Sequence, residues 1–359
     1  MRNFIYSDFP KTILILASLG FALHLQAQDD DFEDFDPSMF EEVGESVKSF
    51  ATSKVLGQSP SLLISVGYDM QGPAGLNVGA YDSYPSEDVE LGLSQGFRFV
   101  SNVPILSRNN ILINWGISYV HLGYARSEDK VTGPFSENLI NHDLKWLNTN
   151  FTVFKPLNEN RFLLMQLGAE FNGDYGFDNM PSMENMRVPA AFIYGFKPND
   201  KLMWGPGVSR TYLGGALNYL PVIYYYHTFD NRKWGVEALF PARVQFRYRK
   251  DSRSVIMMGY QVEGATYQLS NINDYQAIGS NANFEDIELR RSEIRTGLTY
   301  QRGVNDFLWF SIQAGVRLNY SYNVDEGNFY RGFDDEGFFI ENQLNTAFYA
   351  QLTFSMVSP

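Results

Sequence analysis

Residues 307–323 alternate between two kinds of side chain almost without error. Leu308, Phe310, Ile312, Ala314, Val316, Leu318, Tyr320 and Tyr322 fall on one face, and Ser311, Gln313, Gly315, Arg317, Asn319, Ser321 and Asn323 on the other. A period of two is a strand, because successive side chains leave a strand on opposite sides. Strands in soluble proteins usually run about 5–6 residues. A much longer one, with an unbroken apolar face and aromatic ends, is the pattern of a strand that crosses a bilayer with one face on lipid.

The pattern recurs. After Pro60, alternating stretches occupy 62–68, 91–99, 111–119, 144–154, 163–171, 188–196, 202–212, 216–228, 234–240, 242–248, 255–269, 287–301, 307–323 and 346–357. Short polar connections (156–160, 197–200, 230–232, 251–253, 303–306) mostly alternate with long ones (71–88, 125–141, 172–187, 271–286, 324–343). Bacterial outer-membrane barrels place short turns in the periplasm and long loops outside. Gly214-Gly215 and Pro241 supply tight outer turns where the alternation would otherwise fail. The expected fold is therefore all-β: an antiparallel transmembrane β-barrel of about fourteen strands, with both termini periplasmic. Pro241 as a mere bulge would leave thirteen, and twelve is the alternative count. Phe348, Ala350, Leu352, Phe354 and Met356 give the last strand an apolar face of the kind that barrel-assembly machinery reads. Ser358-Pro359 stands where an aromatic residue is usual.

Mean hydropathy is −0.25 although 16% of residues are aromatic, as expected when hydrophobic residues occupy every second position. The absence of cysteine excludes a lipoprotein anchor, disulfides and thiolate metal sites. A net charge of −13 without a basic patch argues against nucleic acid as a partner.

Residues 1–27 read as a signal peptide. Arg2 and Lys11 precede a mostly apolar run from 12 to 25, and Leu25-Gln26-Ala27 offers a cleavage site. The run is shorter than the roughly 20 residues a spanning helix needs. Residues 28–59 form an acidic periplasmic segment. In it Phe40, Val43, Val47 and Phe50 recur at helical spacing, as a weak helix in a tail or as a short plug at the barrel mouth. Residues 60–359 form the barrel.

The ending Gln26-Ala27-Gln28, the acidic leader, Val55-Leu56-Gly57-Gln58-Ser59-Pro60 and the run from Trp234 to Arg243 carry a family likeness. Together they resemble an uncharacterised family of outer-membrane β-barrel proteins from Bacteroidota-type envelopes. The resemblance covers most of the mature chain and implies a location, the outer membrane, rather than an activity.

Function must then be sought on the inward face. Glu237, Arg243, Arg247, Arg249, Glu263, Arg291, Glu293, Arg295 and Arg317 fall there, since an Arg on lipid at mid-membrane costs about 2–4 kcal/mol. They either fill the interior with ion pairs or line a constriction that selects solutes by charge. His121 has Ser118 only on the opposite face, and His142-Asp143 lacks a serine partner, so no catalytic residues are expected. No cofactor or metal is expected either: the acidic leader lacks an ordered calcium loop, and Gly205-Pro206-Gly207 does not match a phosphate loop. Trp204, Trp234, Tyr300, Tyr320 and Tyr322 are expected in interfacial girdles.

The leading functional reading is a passive pore or transporter for a small solute, embedded in outer-membrane lipid. The alternatives are a structural or interaction barrel with a closed lumen, and a hydrophobic-ligand transporter gated by the N-terminal segment.

Overall fold

A computed structural model describes residues 50–81, 83–127, 133–176, 183–211, 218–275, 287–326 and 337–358. The signal peptide, the acidic leader, Phe40, Val43, Val47 and the Gly214-Gly215 turn lie outside the described residues.

Fourteen strands close a barrel among the described residues. They are β1 (Ser61–Gln71), β4 (Ser94–Arg108), β5 (Ile111–Gly123), β6 (Leu144–Asn158), β7 (Arg161–Gly173), β8 (Ala190–Asn199), β9 (Leu202–Thr211), β10 (Asn218–Thr228), β11 (Trp234–Phe240), β12 (Arg243–Asp251), β13 (Ser254–Gln268), β14 (Ile287–Gly303), β15 (Leu308–Glu326) and β17 (Ala347–Ser358). Wall neighbours pair antiparallel, and β1 closes the ring by pairing with both β17 and β4. The remaining strands, β2 (Ala74–Val78), β3 (Glu87–Leu91) and β16 (Asn342–Leu344), form a small separate sheet from the long connections. The helix α1 (Pro134–Asn141) also comes from a long connection.

Alternation places side chains as the sequence pattern predicts over most of the wall. Ile64, Val66, Tyr68 and Met70 of β1 and Phe348, Leu352, Phe354 and Met356 of β17 are exposed outward, while Ser65, Asp69, Thr353 and Ser355 are buried inside. An outer surface this apolar is stable only against lipid, which makes this a transmembrane barrel. Pro241 does sit in a tight turn, joining β11 to β12.

The structure corrects the sequence reading at several points. The stretch 91–99 is not one strand: Leu91 ends β3, and the wall strand starts at Ser94 and runs to Arg108. A register shift between Pro104 and Leu106 interrupts the alternation there and hides the second half. In β15 the register with β14 slips between Ser292 and Glu293, leaving Tyr320 as an extra residue. Such a bulge reverses which face later residues occupy. Arg317 points inward below it, but above it Tyr322 is inward and 1% exposed. Tyr322 is therefore not a girdle residue, whereas Trp204, Trp234 and Tyr300 are exposed on the outside. Tyr320 is half-buried against Val262, Tyr260 and Ile294.

Both ends of the barrel are filled. At the long-loop end Leu76, Val78 and Leu91 of the small sheet and Phe135 and Leu139 of α1 enter one hydrophobic core. The wall contributes Leu122, Leu144, Tyr267, Leu289, Tyr322 and Val324. At the short-turn end a second core joins Phe154, Phe162, Leu164, Ile193, Met203, Val222, Tyr224, Tyr226 and Leu239 to Val55, which precedes the barrel. Phe162 stacks on Phe154 at 4.9 Å, and Tyr224 on Tyr226 at 4.5 Å. Val255, Met257, Trp309 and Val357 fill the facing side of that end.

The wall also steps inward. The β11–β12 hairpin is short, and beyond it β13 reaches across to β7, where Gln268 pairs with Gly173 in parallel. Asp174 fastens the junction, accepting from Ser270 N at 2.8 Å, Asn271 N at 3.1 Å and the Asn138 amide at 2.9 Å.

Candidate functional site: a charged chamber between two cores

Between the two cores the interior is polar and partly empty. One space of about 1310 Å³ lies toward the short-turn end, lined among others by Ser65, Gln245, Gln261, Thr299, Gln313 and Thr353. A second, of about 810 Å³, lies toward the long-loop end, lined by Val120, Leu122, Trp146, Glu170, Tyr267 and Arg291. Arg98, Trp146, Glu263 and Arg295 line both spaces and stand where they meet.

Those charges belong to one network. Arg98 pairs with Asp69 at 3.2 Å and Glu263 at 3.4 Å. Arg295 pairs with Glu263 at 3.1 Å, Glu293 at 2.7 Å and Asp69 at 3.7 Å. Glu293 further receives Arg291 at 2.7 Å and Arg317 at 3.2 Å. Four guanidinium groups thus meet three carboxylates on strands β1, β4, β13, β14 and β15. Burial of a charge is tolerated when opposite charges and hydrogen bonds replace its water. Glu293 and Arg317 are each 1% exposed. Glu293 accepts hydrogen bonds from Arg291 and Arg295, whereas Arg317 Nε and Nη1 have no hydrogen-bond partner and Arg317 is held by its ion pair. The guanidinium of Arg295 also lies 5.4 Å from the Tyr349 ring centroid.

The nine charged residues expected from the sequence do not form a single cluster. Glu263, Arg291, Glu293, Arg295 and Arg317 join the network just described. Glu237 and Arg247 form a separate buried pair at 3.0 Å near the short-turn end. Arg243 instead donates to the Tyr226 hydroxyl at 2.9 Å, and Arg249 donates to the Gln58 carbonyl at 2.6 Å.

Glu237, with its partner Arg247, and Arg249 hold a strap made of residues 50–60, which crosses the short-turn end before β1 begins. Ala51 N donates to Asn158 O at 2.9 Å, and Leu56 N donates to Asp200 O at 2.8 Å. Thr228 donates to Leu56 O at 2.6 Å, and Lys197 to Lys54 O at 2.7 Å. Ser59 then donates its N–H and hydroxyl to the Glu237 carboxylate at 3.0 and 2.9 Å. The strap therefore touches β6, β8, the β8–β9 turn, β10, β11 and β12. Gly57, at φ 72°, makes its sharpest bend, a conformation that side chains with a Cβ adopt with strain. Phe50, expected in a plug helix, lies outside any helix at the start of this strap.

Sequence reasoning missed Asp69 and Arg98 in the network, together with Glu170, Arg187, Glu288, Arg290 and Asp325. Asp69 and Arg98 were discoverable, since each continues the inward alternation of its strand. Arg187 pairs with Glu288, and Arg290 with Asp325 at 2.7 Å, beside the inward step of the wall. The latter pairs were hidden because a loop contributes one partner of the first and the bulge resets the faces around the second.

His121 sits on the outer face, bonded to Asp143 at 2.6 Å, while Ser118 lines the interior. His227 contacts the Tyr225 hydroxyl at 3.1 Å. Among the described residues no group of three or more His, Asp or Glu is arranged to hold a metal ion.

Wall, cores and chamber define the class: a transmembrane β-barrel enclosing a charged internal compartment. The sequence matches the model of the family described as Domain of unknown function (DUF6268) over residues 95–357, and the chain belongs to that family. Similar solved structures include the COG4313 outer membrane channel from Pseudomonas putida F1. It is 12% identical, with 88% of this chain and 100% of that chain covered, at a TM-score of 0.40. The P. putida toluene transporter TodX is 8% identical, with 84% and 91% covered, at 0.34. The outer membrane protease OmpT from Escherichia coli is 11% identical, with 83% and 99% covered, at 0.28. These likenesses concern barrel architecture. No curated protein matches the sequence.

Proposed function

We propose that the protein is a gated channel or transporter that carries a small solute across the outer membrane through its charged chamber. The short-turn end would face the periplasm, as in bacterial barrels generally, with residues 1–27 serving as the export signal. The observation that carries the reading is the strap. It is an element separate from the wall, held across one mouth by backbone bonds to β6 and the β8–β9 turn and by side chains of β8, β10, β11 and β12, over an interior that is otherwise partly empty. A barrel needing only rigidity gains nothing from leaving polar space unfilled between its two cores. A permanently open pore, in turn, would not pack a hydrophobic core at each end. The chain is read as a carrier of solutes rather than an enzyme, because among the described residues no histidine lines either space.

A second reading is a closed structural barrel, favoured by the large core under the small sheet and α1. Planar-bilayer recordings separate the two. The full chain should be nearly silent, and a chain lacking residues 28–58 should show ion-selective conductance. If the truncated protein folds but conducts no more than the full chain, the gated reading is lost and the structural one stands.

A further inference from the structure

The compartment toward the long-loop end contains one carboxylate that its ion pairs do not reach. Among its lining residues, Arg98, Arg291 and Arg295 are all committed to Asp69, Glu263 or Glu293. Glu170 lines the same space and is 5% exposed, yet no basic side chain pairs with it. Its Oε2 accepts from the Asn172 amide at 3.5 Å, and its Oε1 has no hydrogen-bond partner. The Trp146 indole is a further neutral donor to it. Arg187 acts on it electrostatically, but its guanidinium is paired with Glu288. Arg98, Arg291, Arg295 and Arg317 are thus shared among Asp69, Glu263 and Glu293, and Glu170 stands outside that network.

The rest of the lining is mostly apolar or aromatic, Trp146, Tyr267, Val120, Leu122 and Ala265 among it, with Thr211 as a polar exception. An unpaired carboxylate beside a tryptophan and a tyrosine is a setting for a cation with an apolar body. The carboxylate supplies charge, and the ring faces attract a desolvated ammonium.

We propose that this compartment binds a small organic ammonium ion, anchored by Glu170 and flanked by Trp146 and Tyr267. The assignment rests on reading the chamber as a solute compartment, and it names the class of solute.

The test is equilibrium binding to the full chain in detergent, by calorimetry and tryptophan fluorescence. Three probes of similar shape are compared: benzylammonium, benzyl alcohol and benzoate. The cation should bind saturably and roughly tenfold or more tighter than either other probe, as expected for one charge-assisted contact. Glu170→Gln should abolish that preference while the barrel still shows heat-modifiable gel mobility. Trp146→Phe should remove the fluorescence response but leave calorimetric binding, which locates the site.

Equal binding of cation and alcohol, preference for benzoate, absence of binding, or an unchanged preference in Glu170→Gln would each overturn the assignment. Binding in detergent requires no transport. Cation binding without conductance would therefore count against the gated reading alone, and conductance without cation preference against this site alone.

Discussion

Arg247 and Glu237 face each other at 3.0 Å inside the short-turn end, and the carboxylate oxygen that accepts from Arg247 also accepts from the Ser59 backbone and hydroxyl. One buried ion pair thus fixes both the wall and the strap that crosses it. Arg247 is held in turn by the Thr228 hydroxyl at 2.6 Å, and Thr228 grips Leu56. A Cβ on Gly235 would collide with the Arg247 guanidinium, so the wall is shaped around this side chain.

Breaking that pair should loosen the strap. Arg247→Met leaves Glu237 buried without its cation, a change that typically costs about 3–5 kcal/mol in soluble proteins. Recordings in planar bilayers should show Arg247→Met opening intermittently, between the silent full chain and the chain lacking residues 28–58. A variant as silent as the parent would detach the pair from gating.

Glu293 should matter more than Glu263. Glu293 neutralises Arg291, Arg295 and Arg317 in a dry setting, whereas Glu263 is 21% exposed. Glu293→Gln leaves the three cations facing one another, and the loss expected for an unpaired buried charge is about 3–5 kcal/mol. Urea unfolding in detergent should give a clearly lower midpoint for Glu293→Gln than for Glu263→Gln. The reverse order would contradict the network as described.

The bulge at Tyr320 makes a prediction that simple alternation would reverse. With Tyr322 inside the long-loop core, Tyr322→Ala removes a fully buried ring, which costs about 3–5 kcal/mol in soluble cores. Tyr320→Ala, on the half-buried outer side, should cost markedly less. Equal losses would mean that the strand keeps its register past Asn319.

Acid should weaken the long-loop end at one identifiable point. Asp143, in the connection before β6, is hydrogen-bonded to His121, and that bond holds its carboxyl below the ordinary carboxylate range. A depressed carboxylate stabilises the fold above its unfolded pKa of about 3.9, and the benefit disappears as pH falls through the folded value. Asp143 is 40% exposed, so solvent screens the pair and the effect is small. Urea midpoints measured from neutral pH into the acid range should fall less steeply for Asp143→Asn than for the parent. Identical slopes would remove this pair as a contributor.

Most of the wall was legible because a two-residue period is a local signal, strongest where lipid lies on one side and polar chamber on the other. It fades where the interior is itself apolar. In β10, Leu220, Val222, Tyr224 and Tyr226 face the core while Tyr219 and Ile223 face outward, so the two faces look alike. Bulges at Pro104 and Tyr320 defeat the period in another way, by shifting its phase. The helix α1 left only a faint mark, Pro134 at its start and Phe135 four residues before Leu139. The charged residues were legible as inward-facing. Their division into a chamber network and a strap clamp was not, because it depends on which strands meet across the lumen. The strap itself has no periodicity; its place follows from tertiary contacts with turns more than a hundred residues away in sequence.

The most direct test of the account is the reactivity of one cysteine inside the chamber. The chain has no cysteine of its own, so Gln261→Cys, at the lining of the larger space, gives a single reporter. Its rate with a charged, membrane-impermeant thiol reagent measures how often the chamber opens, since protection reflects the free energy of local opening. The account predicts slow labelling in the full chain and labelling at least an order of magnitude faster once residues 28–58 are removed. Equally fast labelling in both forms would contradict the claim that the strap closes the chamber.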